Sequence, residues 1–155
     1  MEMMNYKLLI AALFLSFYLV VPLTQATDIH YCDKKGDYAV KVTGVDISPY
    51  PVARGKAATF SISAIAGEAI EGGKMVIDVS YFGWHVHSET HDLCAETSCP
   101  VSTGDFVVSH SQVLPGFTPP GSYSLTMKIF DANKNELTCI GFNFDIGFAS
   151  SLADS

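Results

Sequence analysis

The sequence predicts an all-β protein, an immunoglobulin-like antiparallel β-sandwich of two sheets. Three observations indicate this fold: apolar and polar residues alternate with a period of two, turn residues separate the alternating segments, and the four cysteines suit an oxidising compartment. The 155 residues contain no helical period longer than one turn, no internal repeat and no low-complexity tract. Short strands at this spacing are typical of a single sandwich domain.

Four segments show the clearest alternation, with every second residue apolar so that one face of the strand can be buried. They are residues 58–64, 75–81, 123–129 and 140–146, and weaker strands are predicted at Tyr38–Ile47 and Phe106–His110. Residues 131–135 are rich in turn formers and should join the last two strands as a hairpin.

A hydrophobic leader precedes these strands. Lys7 is followed by an apolar run from Leu8 to Leu23 and then by Thr24-Gln25-Ala26, small residues of the kind that a signal peptidase recognises. Sixteen apolar residues are fewer than the roughly 20 that a bilayer-spanning helix needs. We therefore expect residues 1–26 to be a signal peptide and residues 27–155 to be one domain. The protein should enter the secretory pathway and reach the extracellular space or a vacuolar or other endomembrane lumen.

Charge and motifs exclude several classes of function. The formal net charge is −7, and the nine Lys and Arg residues form no basic run longer than two, so we expect no basic surface for nucleic acid. A Gly-x-Ser-x-Gly nucleophile elbow and a glycine-rich phosphate loop are both absent from the sequence. We therefore expect a protein that is not an enzyme, has no cofactor and acts as a monomer.

The four cysteines are Cys32, Cys94, Cys99 and Cys139. An even number in a secreted chain indicates two disulfides rather than metal ligands or a nucleophile. The sequence allows three connectivities. We favour Cys32 with Cys139, which would tie the first strand to the last, and Cys94 with Cys99, which would close one short loop.

Several of these residues carry a family resemblance. The segments "DLCAETSCPVSTGDF" and "LPGFTPPGSYSLTMKIFDANKNELTCIGFNFDI", with Cys32-Asp33 and the turn "ISPYPVARG", resemble the ML (lipid-recognition) domain family. That family includes the Niemann-Pick sterol carrier, the group 2 mite allergens and plant phosphatidylglycerol/phosphatidylinositol transfer proteins, and the plant branch is the most similar. The sterol carrier has a further small disulfide where this chain has Tyr50 and Val52, and "FGWHVHSETHD" replaces its proline-rich segment. A phospholipid is therefore expected ahead of a sterol.

The resemblance implies a secreted or luminal lipid-binding and lipid-transfer protein, with an acyl chain or sterol held in a cavity between two splayed sheets. The strand residues expected to line that cavity are Phe60, Ile62, Ile77, Val79, Tyr81, Tyr123, Leu125, Met127, Phe142 and Phe144. Without the resemblance, the same side chains would be read as an ordinary sandwich core.

Four further apolar residues, Trp84, Val86, Leu114 and Phe117, fall in predicted loops or at strand ends, where they have no core to fill. Loops normally face solvent, so these side chains predict a hydrophobic mouth that makes transient contact with a membrane. The polar residues expected to select a head group at this mouth are His85, His87, His91, Lys74 and Lys128.

The histidines also support a competing hypothesis, a secreted metal-binding protein. The pattern His85-Val86-His87, with Glu89 and His91 behind it, is how some copper and zinc sites begin. Such a site needs a further ligand, for which His110 or His30 would have to fold nearby. The simpler interpretation is solvated loop histidines, and on it no metal site is predicted. A third hypothesis keeps the lipid cavity but makes the protein a recognition molecule that presents the lipid to a receptor in defence signalling.

Overall fold

Two antiparallel sheets form the fold, as the alternation predicts. In the computed structural model, which describes residues 7–12 and 25–148, the nine strands are β1 (Gln25–Thr27), β2 (Ile29–Tyr31), β3 (Val40–Ser48), β4 (Ala57–Ala66), β5 (Gly73–Tyr81), β6 (Trp84–Asp92), β7 (Gly104–Val113), β8 (Gly121–Asp131) and β9 (Glu136–Ile146). One sheet has the strand order β1-β3-β4-β7, and the other has the order β2-β9-β8-β5-β6. The helix α1 (Leu93–Glu96) makes the crossing from β6 in the second sheet to β7 in the first.

The predicted leader lies mostly outside the described residues. Residues 7–12 are helical, and no helix in the described part of the chain is long and apolar enough to cross a membrane. The expected cleavage after Ala26 remains a prediction.

The core lies between the two sheets and follows from the period of two. On β4, the buried Ala58, Phe60 and Ile62 alternate with residues that are only partly buried, and β8 and β9 present matching apolar faces. The Phe60 ring lies 6.4 Å from that of Phe142 and 5.5 Å from that of Phe144, the second contact being edge-to-face. These aromatic contacts join the inner faces of the two sheets.

The sequence does not predict the strand β6, because it places Trp84 and Val86 in a loop or at a strand end. Its residues are mostly exposed because it is an edge strand, so its sequence lacks the alternation that burial of one face produces. The two-residue turn Phe82-Gly83 joins it to β5, with φ of 50° and 78° respectively. This is the left-handed conformation that two-residue hairpins favour, and Gly83 adopts it easily, whereas a bulky residue such as Phe82 rarely does.

Both favoured disulfides are confirmed. Cys32, directly after β2, is bonded to Cys139 on β9, and the Cys32 amide also donates to the Cys139 carbonyl at 3.0 Å. Cys94 in α1 is bonded to Cys99 in the loop that follows. The first bridge fastens the start of the domain to its last strand, and the second fixes the crossing between the sheets.

We predict that the two bridges contribute unequally to stability. The first bridge joins residues 107 positions apart, and the second joins residues 5 positions apart. By lowering the chain entropy of the unfolded state, the first should stabilise the fold by about 5 kcal/mol and the second by about 2 kcal/mol. Urea unfolding of the double variants Cys32→Ala/Cys139→Ala and Cys94→Ala/Cys99→Ala should show the larger loss of unfolding free energy in the first. An equal or larger loss in the second variant would contradict this ordering.

Candidate functional site: a cavity between the sheets

A cavity of about 420 Å³ lies between the two sheets, a size within the range of small-molecule binding sites. Its walls are mainly aliphatic and aromatic. Thirteen of the fourteen residues predicted to contact a lipid line it: Phe60, Ile62, Ile77, Val79, Tyr81, Val86, Leu114, Phe117, Tyr123, Leu125, Met127, Phe142 and Phe144. The alternation placed these strand residues on the inner faces, and the cavity lies where those faces separate.

Trp84 is the exception, since it does not line the cavity. It is the first residue of β6, pairs with Tyr81 and is 77% exposed. The neighbouring Phe82 is 80% exposed, and its ring lies 4.5 Å from that of Tyr81. Sequence reasoning missed Phe82 as a surface aromatic because the alternating strand appeared to end before it.

The cavity reaches the surface between the start of β6 and the segment after β7. Val86, Val113 and Phe117 all line the cavity, yet they are 52%, 57% and 87% exposed. Side chains that are both cavity walls and surface mark an opening rimmed by apolar groups. We call this opening the mouth and the segment 114–120 the mouth loop.

Hydrogen bonds hold the mouth loop in place. Tyr123 Oη donates to the Pro119 carbonyl at 2.7 Å, and Tyr81 Oη donates to the Pro120 carbonyl at 3.0 Å. The two rings stack with centroids 4.5 Å apart. Burial raises the pKa of the Tyr123 phenol, and the neighbouring Tyr81 raises it further. The Tyr123 hydroxyl therefore keeps its proton and remains a donor to the loop.

One side of the cavity is polar, in contrast to the rest. His87, Glu89, His110, Gln112 and Thr118 are part of the lining. The carboxylate of Glu89 lies 3.2 Å from His87 Nε2, 3.3 Å from His91 Nε2 and 3.2 Å from His110 Nε2.

The contact of Glu89 with His110 crosses between the sheets, because β6 and β7 are edge strands of different sheets. Glu96 on α1 joins the group from behind, with its Oε1 3.2 Å from His110 Nδ1. We call Glu89, His91, Glu96 and His110 the edge cluster. It bridges the gap between β6 and β7.

Opposing effects act on Glu89. Burial raises the pKa of its carboxyl, but the hydrogen bond with His87, the close contact with His91 and the charges of His110 and His91 outweigh burial and leave the pKa below its ordinary value. Glu89 is therefore ionised at neutral pH. The cavity thus has an anionic group on its polar side.

Comparison with known proteins agrees with this architecture. Residues 26–146 match the ML domain. The chain belongs to the ML domain family. A Dictyostelium discoideum protein assigned by name as a phosphatidylglycerol/phosphatidylinositol transfer protein is 33% identical over 117 residues, covering 73% of this chain and 81% of that one. The phosphatidylglycerol/phosphatidylinositol transfer protein of Aspergillus oryzae is 30% identical over 118 residues, covering 72% of this chain and 67% of that one.

Solved structures show the same fold for this ML domain. A Niemann-Pick type C2 protein from the Japanese carpenter ant superposes with a TM-score of 0.63 at 13% identity, covering 77% of this chain and 99% of that one. Chicken MD-1, solved in complex with lipid IVa, gives a TM-score of 0.51 at 15% identity, covering 81% and 99%. The fold predicted from the alternation and the family resemblance is confirmed.

Most of the predicted head-group residues lie away from the mouth. His87 alone among them lines the cavity. Lys74 and Lys128 alternate along their strands with the buried Met75 and Met127, so they lie on the outer face of the five-stranded sheet. His91 belongs to the edge cluster.

The His85-x-His87 pattern does not converge on one site. A register shift between Val79 and Ser80 places His87 opposite Val79 and His85 opposite Ser80, on different faces of the sheet. His85 Nε2 lies 3.4 Å from the outward-facing Asp78 instead. His30 lies on β2 with its ring over Gly141. Of the two histidines that the metal hypothesis offered as a further ligand, only His110 folds near this strand.

The anchoring of the mouth loop can be tested with Tyr123→Phe. Loss of the bond to Pro119 should cost about 1 kcal/mol of unfolding free energy and speed hydrogen exchange at the Thr118 amide, which donates to the Pro115 carbonyl within the loop. Tyr50→Phe is a matched control, because it removes a hydroxyl bonded to Asp145 at 3.0 Å, outside the loop. Equal exchange rates at Thr118 in the two variants would show that Tyr123 does not anchor the loop.

Proposed function

We propose that this ML domain carries one acyl-chain lipid between its sheets and transfers it between membranes. The observation that supports the proposal is the apolar cavity with its apolar mouth. A domain core is packed to a density that leaves few voids larger than a water molecule. A cavity of about 420 Å³ lined on most sides by aliphatic and aromatic side chains suits an apolar ligand.

The energetics of chain burial make such binding strong enough to be useful. Burial of a fourteen-carbon chain at about 0.8 kcal/mol per methylene contributes roughly 11 kcal/mol. Association opposes this by about 4 kcal/mol or more. The difference of about 7 kcal/mol corresponds to a dissociation constant in the micromolar range without any dedicated polar contact.

A glycerophospholipid is the ligand class that we propose, with a sterol as the less favoured class. The named relatives are phosphatidylglycerol/phosphatidylinositol transfer proteins, and most of the cavity wall is apolar. Acyl chains of different length should be accepted, because a methylene is recognised only through its area. The head group would remain at the mouth, near His87 and Phe117.

Three exposed aromatic side chains support transient membrane contact. Phe82, Trp84 and Phe117 are 80%, 77% and 87% exposed. Aromatic residues of this kind are enriched where proteins meet the interface of a bilayer. In this proposal they touch the membrane while the lipid passes through the mouth.

We further propose that the protein is secreted and monomeric. Residues 1–26 act as a signal peptide, the mature chain begins near Thr27, and the two disulfides suit an extracellular or endomembrane lumen. The protein acts as a monomeric carrier, not an enzyme, and does not bind nucleic acid. A recognition protein that presents lipid to a receptor would share the cavity and differ only in its partner.

The cavity should lose its ligand when a charge is placed in its wall. Met127 is 1% exposed and lines the cavity, so Met127→Glu would leave an unpaired carboxylate there at a cost of several kcal/mol. Uptake of a fluorescent phospholipid from vesicles should fall at least tenfold. Phe144→Asp should reduce phospholipid uptake in the same way.

Lys128→Glu is the control for this experiment, because it adds a carboxylate at the next residue on the outer face. Leu125→Trp tests the same wall without a charge, since it fills the cavity, and it should also reduce uptake. Thermal melts establish that each variant is folded. A folded Met127→Glu protein with the uptake of the unmodified protein would contradict the proposal.

Exposed aromatics at the mouth should matter for transfer more than for stability. Trp84→Ala and Phe117→Ala should slow lipid exchange with vesicles several-fold and change the melting temperature little, because the side chains are exposed. Phe82→Asn should do the same without loss of stability, since Asn tolerates a φ of 50°.

Val107→Ala provides the matched control, as Val107 is 51% exposed on β7 but does not line the cavity. If the melting temperatures of the mouth variants collapse while exchange per folded molecule stays constant, these residues serve stability and the mouth is misplaced.

A further inference from the structure

The edge cluster contains two buried imidazole nitrogens that lack hydrogen bonds. His110 Nε2 and His91 Nε2 lie 3.2 Å and 3.3 Å from the same oxygen, Glu89 Oε1. Both nitrogens are shielded from solvent, and neither has a hydrogen-bond partner in the described part of the chain. The His110 side chain is only 8% exposed and is directed at Glu89. Two nitrogens therefore approach a carboxylate closely without hydrogen-bond geometry.

Glu96 lies behind both rings and is hydrogen-bonded to that of His110. Its Oε1 lies 3.2 Å from His110 Nδ1 and 3.6 Å from His91 Nδ1. In the tautomer that directs Nδ1–H towards Glu96, each Nε2 carries a lone pair that faces the Glu89 oxygen. Two imidazole lone pairs then face a carboxylate oxygen, and all three atoms are hydrogen-bond acceptors. A cation placed among them would stabilise this arrangement. A carboxylate behind a histidine is also the arrangement that orients metal-bound imidazoles.

We propose that Glu89, His91 and His110 bind a Zn²⁺ ion. Zinc bonds to imidazole nitrogen and carboxylate oxygen are about 2.0–2.1 Å long, which sets ligand atoms at tetrahedral angles about 3.3 Å apart. The two nitrogen-to-oxygen separations of 3.2 Å and 3.3 Å match this spacing. All three ligand atoms lie within 4.8 Å of one another. Small side-chain movements would therefore complete the site.

The donor set and the charge favour zinc over the hard cations. Two imidazoles with one carboxylate suit Zn²⁺, whereas Ca²⁺ and Mg²⁺ select oxygen ligands. The charges of Glu89 and Glu96 would balance a divalent ion. Both Glu89 and His110 line the cavity, so the fourth coordination position would face it and accept water.

The three proposed ligands come from the edge strands of both sheets. His91 and Glu89 belong to β6, and His110 belongs to β7, the edge strand of the other sheet. A bound ion would therefore link the two sheet edges and fix their separation along the polar side of the cavity. The competing metal hypothesis started from the pattern His85-x-His87, but the ligands that the structure brings together are Glu89, His91 and His110.

Zinc titration of the untagged mature protein, after treatment with a chelator, tests the site independently of lipid binding. Calorimetry should give one Zn²⁺ per chain, and the melting temperature should rise with Zn²⁺ concentration. Co²⁺ should replace zinc and give the visible absorption of a four-coordinate ion. A large excess of Ca²⁺ should not compete.

Variants locate the ligands. We expect Zn²⁺ binding to weaken by at least about 100-fold in each of the ligand variants His91→Asn, His110→Asn and Glu89→Gln. Glu96 only positions the histidines, so Glu96→Gln should weaken binding by about 10- to 100-fold and retain the Co²⁺ spectrum. His85→Asn is the matched control on the same strand and should bind as the unmodified protein does.

The variants at His91 and Glu89 distinguish the loss of a zinc ligand from the loss of the fold. His110 is buried, so its variant could lose affinity by unfolding, but His91 and Glu89 are 29% and 21% exposed, and their variants should keep the fold. The proposal is overturned if the unmodified protein takes up no Zn²⁺, if Ca²⁺ competes equally, or if folded His91→Asn retains full affinity. Loss of zinc binding with lipid uptake intact would leave the lipid-carrier function standing.

Discussion

Apolar contact between the inner faces of the two sheets is the interaction on which the rest of the structure depends. Phe60 on β4 meets Phe142 and Phe144 on β9, and the same three side chains form part of the cavity wall. Core and cavity are therefore continuous, with one set of inward-facing residues serving both. A carrier of this kind needs sheets that are held firmly together at some points and separated at others. The aromatic contacts and the Cys32–Cys139 bridge hold the structure firmly together.

The sheets are separated at the edges formed by β6 and β7, where the cavity lies between them. These strands belong to different sheets, and α1 connects them through a single helical turn capped by Asp92, whose carboxylate accepts from the Cys94 amide at 3.0 Å. The Cys94–Cys99 bridge closes this connection, and the same turn carries Glu96 to the back of His110. Polar contacts thus span the side of the cavity while its mouth stays apolar. A lipid could enter at the mouth without disturbing the contacts that hold the edges.

The alternation of the sequence predicted the inner-face residues well because a period of two assigns each strand residue to one face. It failed where burial does not impose a pattern. The edge strand β6 has little buried area on either face, so its residues resembled a loop. The register shift beside Val79 then placed His85 and His87 on opposite faces, which spacing alone could not indicate. The contact of Glu89 with His110 depends on how two sheets pack, and no local pattern records it.

Native mass spectrometry of the delipidated mature protein, after incubation with liposomes of mixed phospholipids and sterols, tests the lipid-carrier account most directly. A lipid carrier of this kind should give a complex with one lipid per chain, a mass that identifies a glycerophospholipid, and several acyl-chain compositions in the bound population. Protein that remains free of lipid across all phospholipids and sterols offered would contradict it.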